Sequence, residues 1–112
     1  MQSNKSIELP VPIATYFAAD VADANGVAWC FTEDAVVIDE RREHWGRHAI
    51  ARWKAVATST YHYTSEPLTA DVFGANVSVL ARVTGDFPGS PVELQYYFVL
   101  AGDKIARLEI TA

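Results

Sequence analysis

The sequence predicts an α+β domain in which three helices from the N-terminal half lie on one face of a curved antiparallel sheet. Two observations carry this. In the first half, apolar residues recur at helical spacing on three segments, with one short apolar strand before the last of them. After Ser59 the pattern changes to strands, divided by turns at Gly74-Ala75-Asn76, Phe87-Pro88-Gly89-Ser90-Pro91 and Gly102-Asp103. Helices first and strands last group the helices together against the sheet. The 112 residues fit one domain spanning 1–112, and an apolar share of 50% supplies a core without cross-links.

Taken in order, Met1 to Glu8 are polar and expected to be loose. Pro10 and Pro12 suit a helix entrance, where the missing N–H would have no partner anyway. Ile13, Tyr16, Phe17 and Val21 then mark an amphipathic helix ending near Asp23. Asn25 and Gly26 are expected to break it, and a short second helix covers Val27 to Thr32. Ala35 to Glu40 is rich in β-branched residues and reads as a strand with both faces covered. A charged turn and a short return, His44 to Trp45, follow. Gly46 is placed to cap a third helix from Arg47 to Thr58, with Ile50, Trp53 and Ala57 on its stripe.

Tyr61 to Phe73 is a long strand segment interrupted by Pro67, which demands an edge position or a bulge. Val77 to Asp86 is the next strand. Val92 to Leu100 alternates Leu94, Tyr96, Phe98 and Leu100 against Glu93, Gln95 and Tyr97. Ile105 to Thr111 is last. A long curved sheet over a few helices leaves a cavity unless large side chains fill it. Three tryptophans, five tyrosines and five phenylalanines are enough to line or plug one.

Composition excludes several functions. A net charge of -5 disfavours nucleic acid, whose phosphates need a basic face. The arginines that crowd Arg41 to Arg52 are offset by Glu33, Asp34, Asp39, Glu40 and Glu43, so they read as a solvated turn and helix face. The single cysteine, Cys30, forbids an internal disulfide and sits in an apolar run, as a small buried side chain would. No stretch resembles a signal peptide, and none approaches the ~20 apolar residues that span a bilayer. A soluble, cytoplasmic protein without membrane or nucleic-acid partners is expected.

The sharpest candidate for chemistry is Asp39. An aspartate at the end of a half-buried strand, backed by the Trp53 helix, loses hydration and becomes a better base at neutral pH. It could equally be a structural acid paired with Arg41, Arg42 or Arg82. Tyr16 offers a hydroxyl to a developing oxyanion, or is a core aromatic with its hydroxyl tied to a neighbour. Trp29, Trp53, Tyr61, Tyr63, Tyr96 and Phe98 can form an aromatic pocket for a flat apolar ligand, with His44 at its mouth. His44 and His48 are four residues apart, but His44 precedes Gly46 and lies outside the helix. Nothing completes a ligand set, so no metal is expected.

Four local words occur in this order: Tyr16-Phe17-Ala18-Ala19, the run Cys30 to Ala35, Asp39 ending the first strand, and Gly46-Arg47-His48-Ala49-Ile50 with Trp53. With them, the chain resembles the nuclear transport factor 2-like superfamily, in its SnoaL-like and ketosteroid isomerase-like branch, over nearly its whole length. The resemblance implies a cone-shaped barrel with a central cavity, and a homodimer, here expected to form through the outer sheet face. In ketosteroid isomerase a first-helix tyrosine and a strand-end aspartate are oxyanion donor and base. Tyr16 and Asp39 fall at the matching places, allowing one deletion near Asn25. The third member, a protonated acid on a late strand, has no counterpart, since Leu94 to Val99 contains no acid. The resulting expectation is a cofactor-independent isomerase, cyclase or dehydratase acting on a small apolar carbonyl compound. The alternative is a non-catalytic ligand-binding or dimerisation module. The two differ in needing a second donor near Tyr16, which the sequence does not locate.

Overall fold

The computed structural model describes residues 7–20 and 23–112. The expected looseness of residues 1–6 and the helical position Val21 lie outside the described residues. Helix α1 is Val11–Ala19, entered through Pro10, whose carbonyl accepts from the N–H groups of Ile13 and Ala14, both at 2.9 Å. It buries Ile13, Tyr16 and Phe17, and Asp20 follows as the residue closing its C-terminus. Helix α2 is Ala24–Trp29. Asn25 and Gly26 therefore lie inside a helix instead of breaking one. Asp23 makes the difference, because its carboxylate accepts from the Gly26 N–H at 3.0 Å and starts the helix there.

Strand β1, Phe31–Asp39, begins earlier than its β-branched run. Phe31 and Thr32 belong to it, not to α2. The reason is long-range pairing: Phe31 stands beside Ile105, and the Ile105 N–H donates to Cys30 O at 2.8 Å. Strand β2, Arg42–Trp45, returns antiparallel to β1, with Asp39 opposite Arg42. Their turn is Glu40-Arg41, both left-handed, with φ of 53° and 66°. Gly46 opens helix α3, Gly46–Thr60, as its first residue and not as its cap. Trp45 is the N-cap, and Gly46 makes the left-handed bend (φ 84°) between β2 and the helix.

Strands β3 (Tyr63–Phe73), β4 (Asn76–Gly85), β5 (Val92–Ala101) and β6 (Lys104–Thr111) form the antiparallel meander. The six strands run β2-β1-β6-β5-β4-β3. Pro67 takes both of its permitted places, on the edge strand β3 and at a register shift between Pro67 and Thr69. One feature departs from expectation: strand β1 pairs with β6 in parallel, so the sheet is mixed. The sheet ends at β2 and β3 without closing and curves over the helices as the expected cone.

The core lies between the sheet's inner face and the helices. Val77, Val79, Ala81 and Val83 alternate inward on β4, as do Tyr96 and Phe98 on β5. All but Val83 meet Tyr16 and Phe17 of α1 and Ile50 of α3 in one cluster. Among the described residues, no helix is long and apolar enough to cross a membrane.

Candidate functional site

Two buried charges sit where each helix turns its apolar stripe inward. Asp20 follows Ile13, Tyr16 and Phe17 on α1, and Lys54 follows Ile50 and Trp53 on α3. Their exposures are 1% and 4%, and they form a direct ion pair. Strand β3 completes the cradle. Lys54 Nζ also donates to Tyr63 Oη at 3.1 Å, and Ser65 Oγ donates to Asp20 Oδ2 at 2.7 Å. Tyr63 Oη in turn donates to the Asp20 carbonyl at 3.2 Å. These partners occupy both Asp20 carboxylate oxygens and two of the three Lys54 N–H donors.

In front of the cradle is a cavity of about 160 Å³. Asp20 and Lys54 form part of its wall, and Asp39, Trp53, Tyr61, Tyr63 and Tyr96 stand around it. Trp53 links its two charged sides. Its indole N–H donates to Asp39 Oδ2 at 3.0 Å, while Lys54 Nζ lies 4.4 Å from its ring centroid. Asp39 also lines a larger outer cleft of about 480 Å³ with Ile38, Arg41 and Glu109; Leu94 and Ile110 border both spaces. Asp39 therefore stands at the junction of an inner cavity and an outer cleft. Among the described residues no arginine pairs with it; Arg82 reaches Glu66 and Glu93 instead.

Tyr16 is fully buried, edge-on to Phe17, Phe31, Tyr96 and Phe98. Its hydroxyl is the buried side-chain polar atom that has no hydrogen-bond partner among the described residues. Burial raises its pKa far above the ordinary tyrosine range, and Asp20, Tyr96, Tyr63 and Asp39 push it further. All four of those neighbours line the inner cavity, whereas Tyr16 itself is not part of its lining. Burial, then Asp20, likewise raises the pKa of Tyr63 and of Tyr96. The three phenols stay protonated, and Tyr63 donates its hydrogen bond to Asp20.

The remaining expected site residues lie elsewhere. Trp29 is 62% exposed, on the outer side of α2, with the Arg47 guanidinium 4.4 Å from its ring centroid. It does not line the cavity, because α2 turns Val27 and Ala28 inward instead. Phe98 is sealed in the core behind Tyr16. His44, opposite Val37 on β2, tilts against Trp53 at 6.0 Å and backs that indole without reaching the cavity. Burial raises the Cys30 pKa, so its thiol is not an activated nucleophile. Among the described residues no group of three or more His, Cys, Asp or Glu side chains is placed to hold a metal ion.

No protein-family model matches the chain, and no curated protein matches it in sequence. Solved structures do. A protein from Sinorhizobium meliloti, provisionally named a polyketide cyclase, is 44% identical over 92% of this chain and 95% of its own, with a TM-score of 0.87. A protein with a ketosteroid isomerase-like fold from Catenulispora acidiphila, in complex with trimethylamine, is 19% identical over 94% and 87%, at 0.85. An NTF2-like protein from Cytophaga hutchinsonii is 10% identical over 97% and 93%, at 0.73. The chain belongs to the nuclear transport factor 2-like superfamily, in its SnoaL-like branch. The two more distant structures establish the fold alone. Within this SnoaL-like protein, the Lys54–Asp20 pair and Ser65 are the site residues that sequence reasoning missed. Their signal was available: one charge of each sign on an otherwise apolar helical stripe.

Proposed function

We propose that this SnoaL-like protein is a cofactor-independent enzyme that moves a proton on a small, largely apolar carbonyl compound, in an isomerase, cyclase or dehydratase reaction. Asp39 is the general base, oriented by the Trp53 indole N–H, and Tyr16 is a hydrogen-bond donor to the substrate oxygen. The observation that carries this reading is the orphaned Tyr16 hydroxyl among groups that line the same cavity as Asp39. A buried donor without an acceptor costs about 1–3 kcal/mol, which a ligand oxygen would recover. The aromatic wall fits an apolar body, and the outer cleft offers a route in.

A thermal-shift screen of cyclic ketones and enones tests binding, since a ligand selective for the folded state raises Tm. Deuterium exchange at the carbon beside the carbonyl tests chemistry. Wild-type protein should exchange a ketone that binds, and Asp39→Asn should not. Binding without exchange would favour the non-catalytic alternative, which the modest inner volume of about 160 Å³ also supports, pockets for drug-sized ligands being ~300–1,000 Å³. We also propose a homodimer formed through the outer face of the sheet, where Tyr97 is 44% exposed, and a reducing, cytoplasmic setting that suits the lone Cys30 thiol.

A further inference from the structure

We propose that Lys54 supplies a second donor to the ligand oxygen, so that the inner cavity selects a small carbonyl compound able to form an enolate. The inference rests on Asp39 being the base, and it names the group that stabilises what the base creates.

An ammonium carries three N–H donors. Asp20 Oδ1 and Tyr63 Oη accept two from Lys54. Among the described residues the third has no oxygen or nitrogen acceptor, and Lys54 lines the cavity. Nζ lies 5.6 Å from the Tyr16 ring centroid, so the free donor and the side chain that carries the orphaned hydroxyl share one corner of the molecule. The Trp53 ring lies between that corner and the carboxylate of Asp39. A purely structural pair joining α1 to α3 would need neither a cavity in front of it nor an unspent N–H.

The charge balance sets the ligand class. Two carboxylates, Asp20 and Asp39, face the cavity against one ammonium. A resting cavity of that balance repels a permanent anion and admits a neutral carbonyl compound. Asp39 then takes the proton from the carbon beside the carbonyl. The C–H electron pair becomes the carbon–carbon double bond of the enolate, and the carbonyl π pair settles on oxygen. Negative charge has moved from Asp39 to the ligand oxygen, which faces Lys54. The neutral Asp39 returns the same proton to that carbon or, where a second double bond is conjugated with the enolate, to its γ-carbon, as the oxygen pair re-forms the carbonyl, so no co-reactant is needed. A charge-assisted hydrogen bond to an oxyanion in a water-poor site is stronger than one to the ground-state carbonyl, which is the condition for catalysis.

The test uses para-nitrophenol as an oxyanion probe whose visible absorption reports its ionisation. Asp39→Asn protein, which mimics the protonated base, should bind it as the phenolate at a pH where the free probe is mostly neutral. Adding Lys54→Met together with Asp20→Asn removes the pair without leaving a buried charge. It should weaken phenolate binding about tenfold or more and leave bound probe neutral, with circular dichroism unchanged. Lys54→Gln in the Asp39→Asn protein retains a hydrogen bond to Asp20 and should give the same loss. Equal phenolate affinity with and without Lys54, or no phenolate binding by the Asp39→Asn protein, overturns the proposal. Ketone exchange separates the two assignments. Lys54-dependent phenolate binding without exchange by wild-type protein leaves Lys54 standing and removes Asp39 as base. Exchange that survives loss of Lys54 keeps Asp39 and overturns Lys54.

Discussion

Lys54 and Asp20 each fall on an apolar helical stripe, but nothing in the sequence says that the two stripes bring them together, which is why the cradle was not legible there. Only their inward positions on two separate helices, and the β3 groups Tyr63 and Ser65 that meet them, make them a unit. Removing one partner strands the other charge in a dry interior. Lys54→Met alone should therefore cost about 3–5 kcal/mol in urea unfolding, and adding Asp20→Asn should restore a good part of it. Asp39 is different. It is only partly buried and holds one indole N–H, so Asp39→Asn should change stability by less than about 1 kcal/mol. A loss of several kcal/mol would mark it as structural. The three raised phenols set the response to alkali. Tyr16, Tyr63 and Tyr96 hold their protons in the fold but release them near pH ~10 once unfolded. Their stabilisation is complete below that pH and is lost above it, because the unfolded state then binds fewer protons. Spectroscopic titration should show late tyrosine ionisation coinciding with alkaline unfolding.

Among the elements, the β1–β2 turn combines strain with position. Glu40 and Arg41 both adopt left-handed backbone, which a two-residue type I′ turn requires and which asparagine and glycine tolerate better. Replacing the pair with Asn-Gly should raise stability by about 1 kcal/mol or more, measured by Tm. Since the turn adjoins Asp39 and borders the outer cleft, the same variant shows whether its side chains influence ligand entry. Alternation made β4 and β5 legible in the sequence, because one face is core and the other is not. Pro67 announced its edge position for the same kind of local reason. The start of α2 was less visible. Asn-Gly usually ends structure, and only the Asp23 side chain, reaching forward to Gly26, reverses that reading.

For the molecule as a whole, the helices-then-strands order was enough to predict the layers. It was not enough to predict the parallel contact of β1 with β6, whose partners are separated by most of the chain. Strand-forming residues look the same in either direction, so local pattern carries no information about that pairing. The contact matters for function, since it sets Asp39 beside Ile110 at the rim of both cavities. On the opposite face, Phe73 and Tyr97 are large apolar side chains left 75% and 44% exposed. The proposed homodimer should give twice the chain mass by light scattering at micromolar concentration, and Tyr97→Lys should shift it toward monomer. Monomeric wild-type protein at that concentration would remove the dimer.

Light offers a direct view of the cavity. Trp29 and Trp45 face water, whereas Trp53 is flanked by a carboxylate on one edge and an ammonium over its plane. A protein in which the two outer indoles are replaced by phenylalanine keeps a single indole fluorophore at that spot. Its emission colour then follows the local field, so arrival or departure of a guest can be watched without attaching a dye.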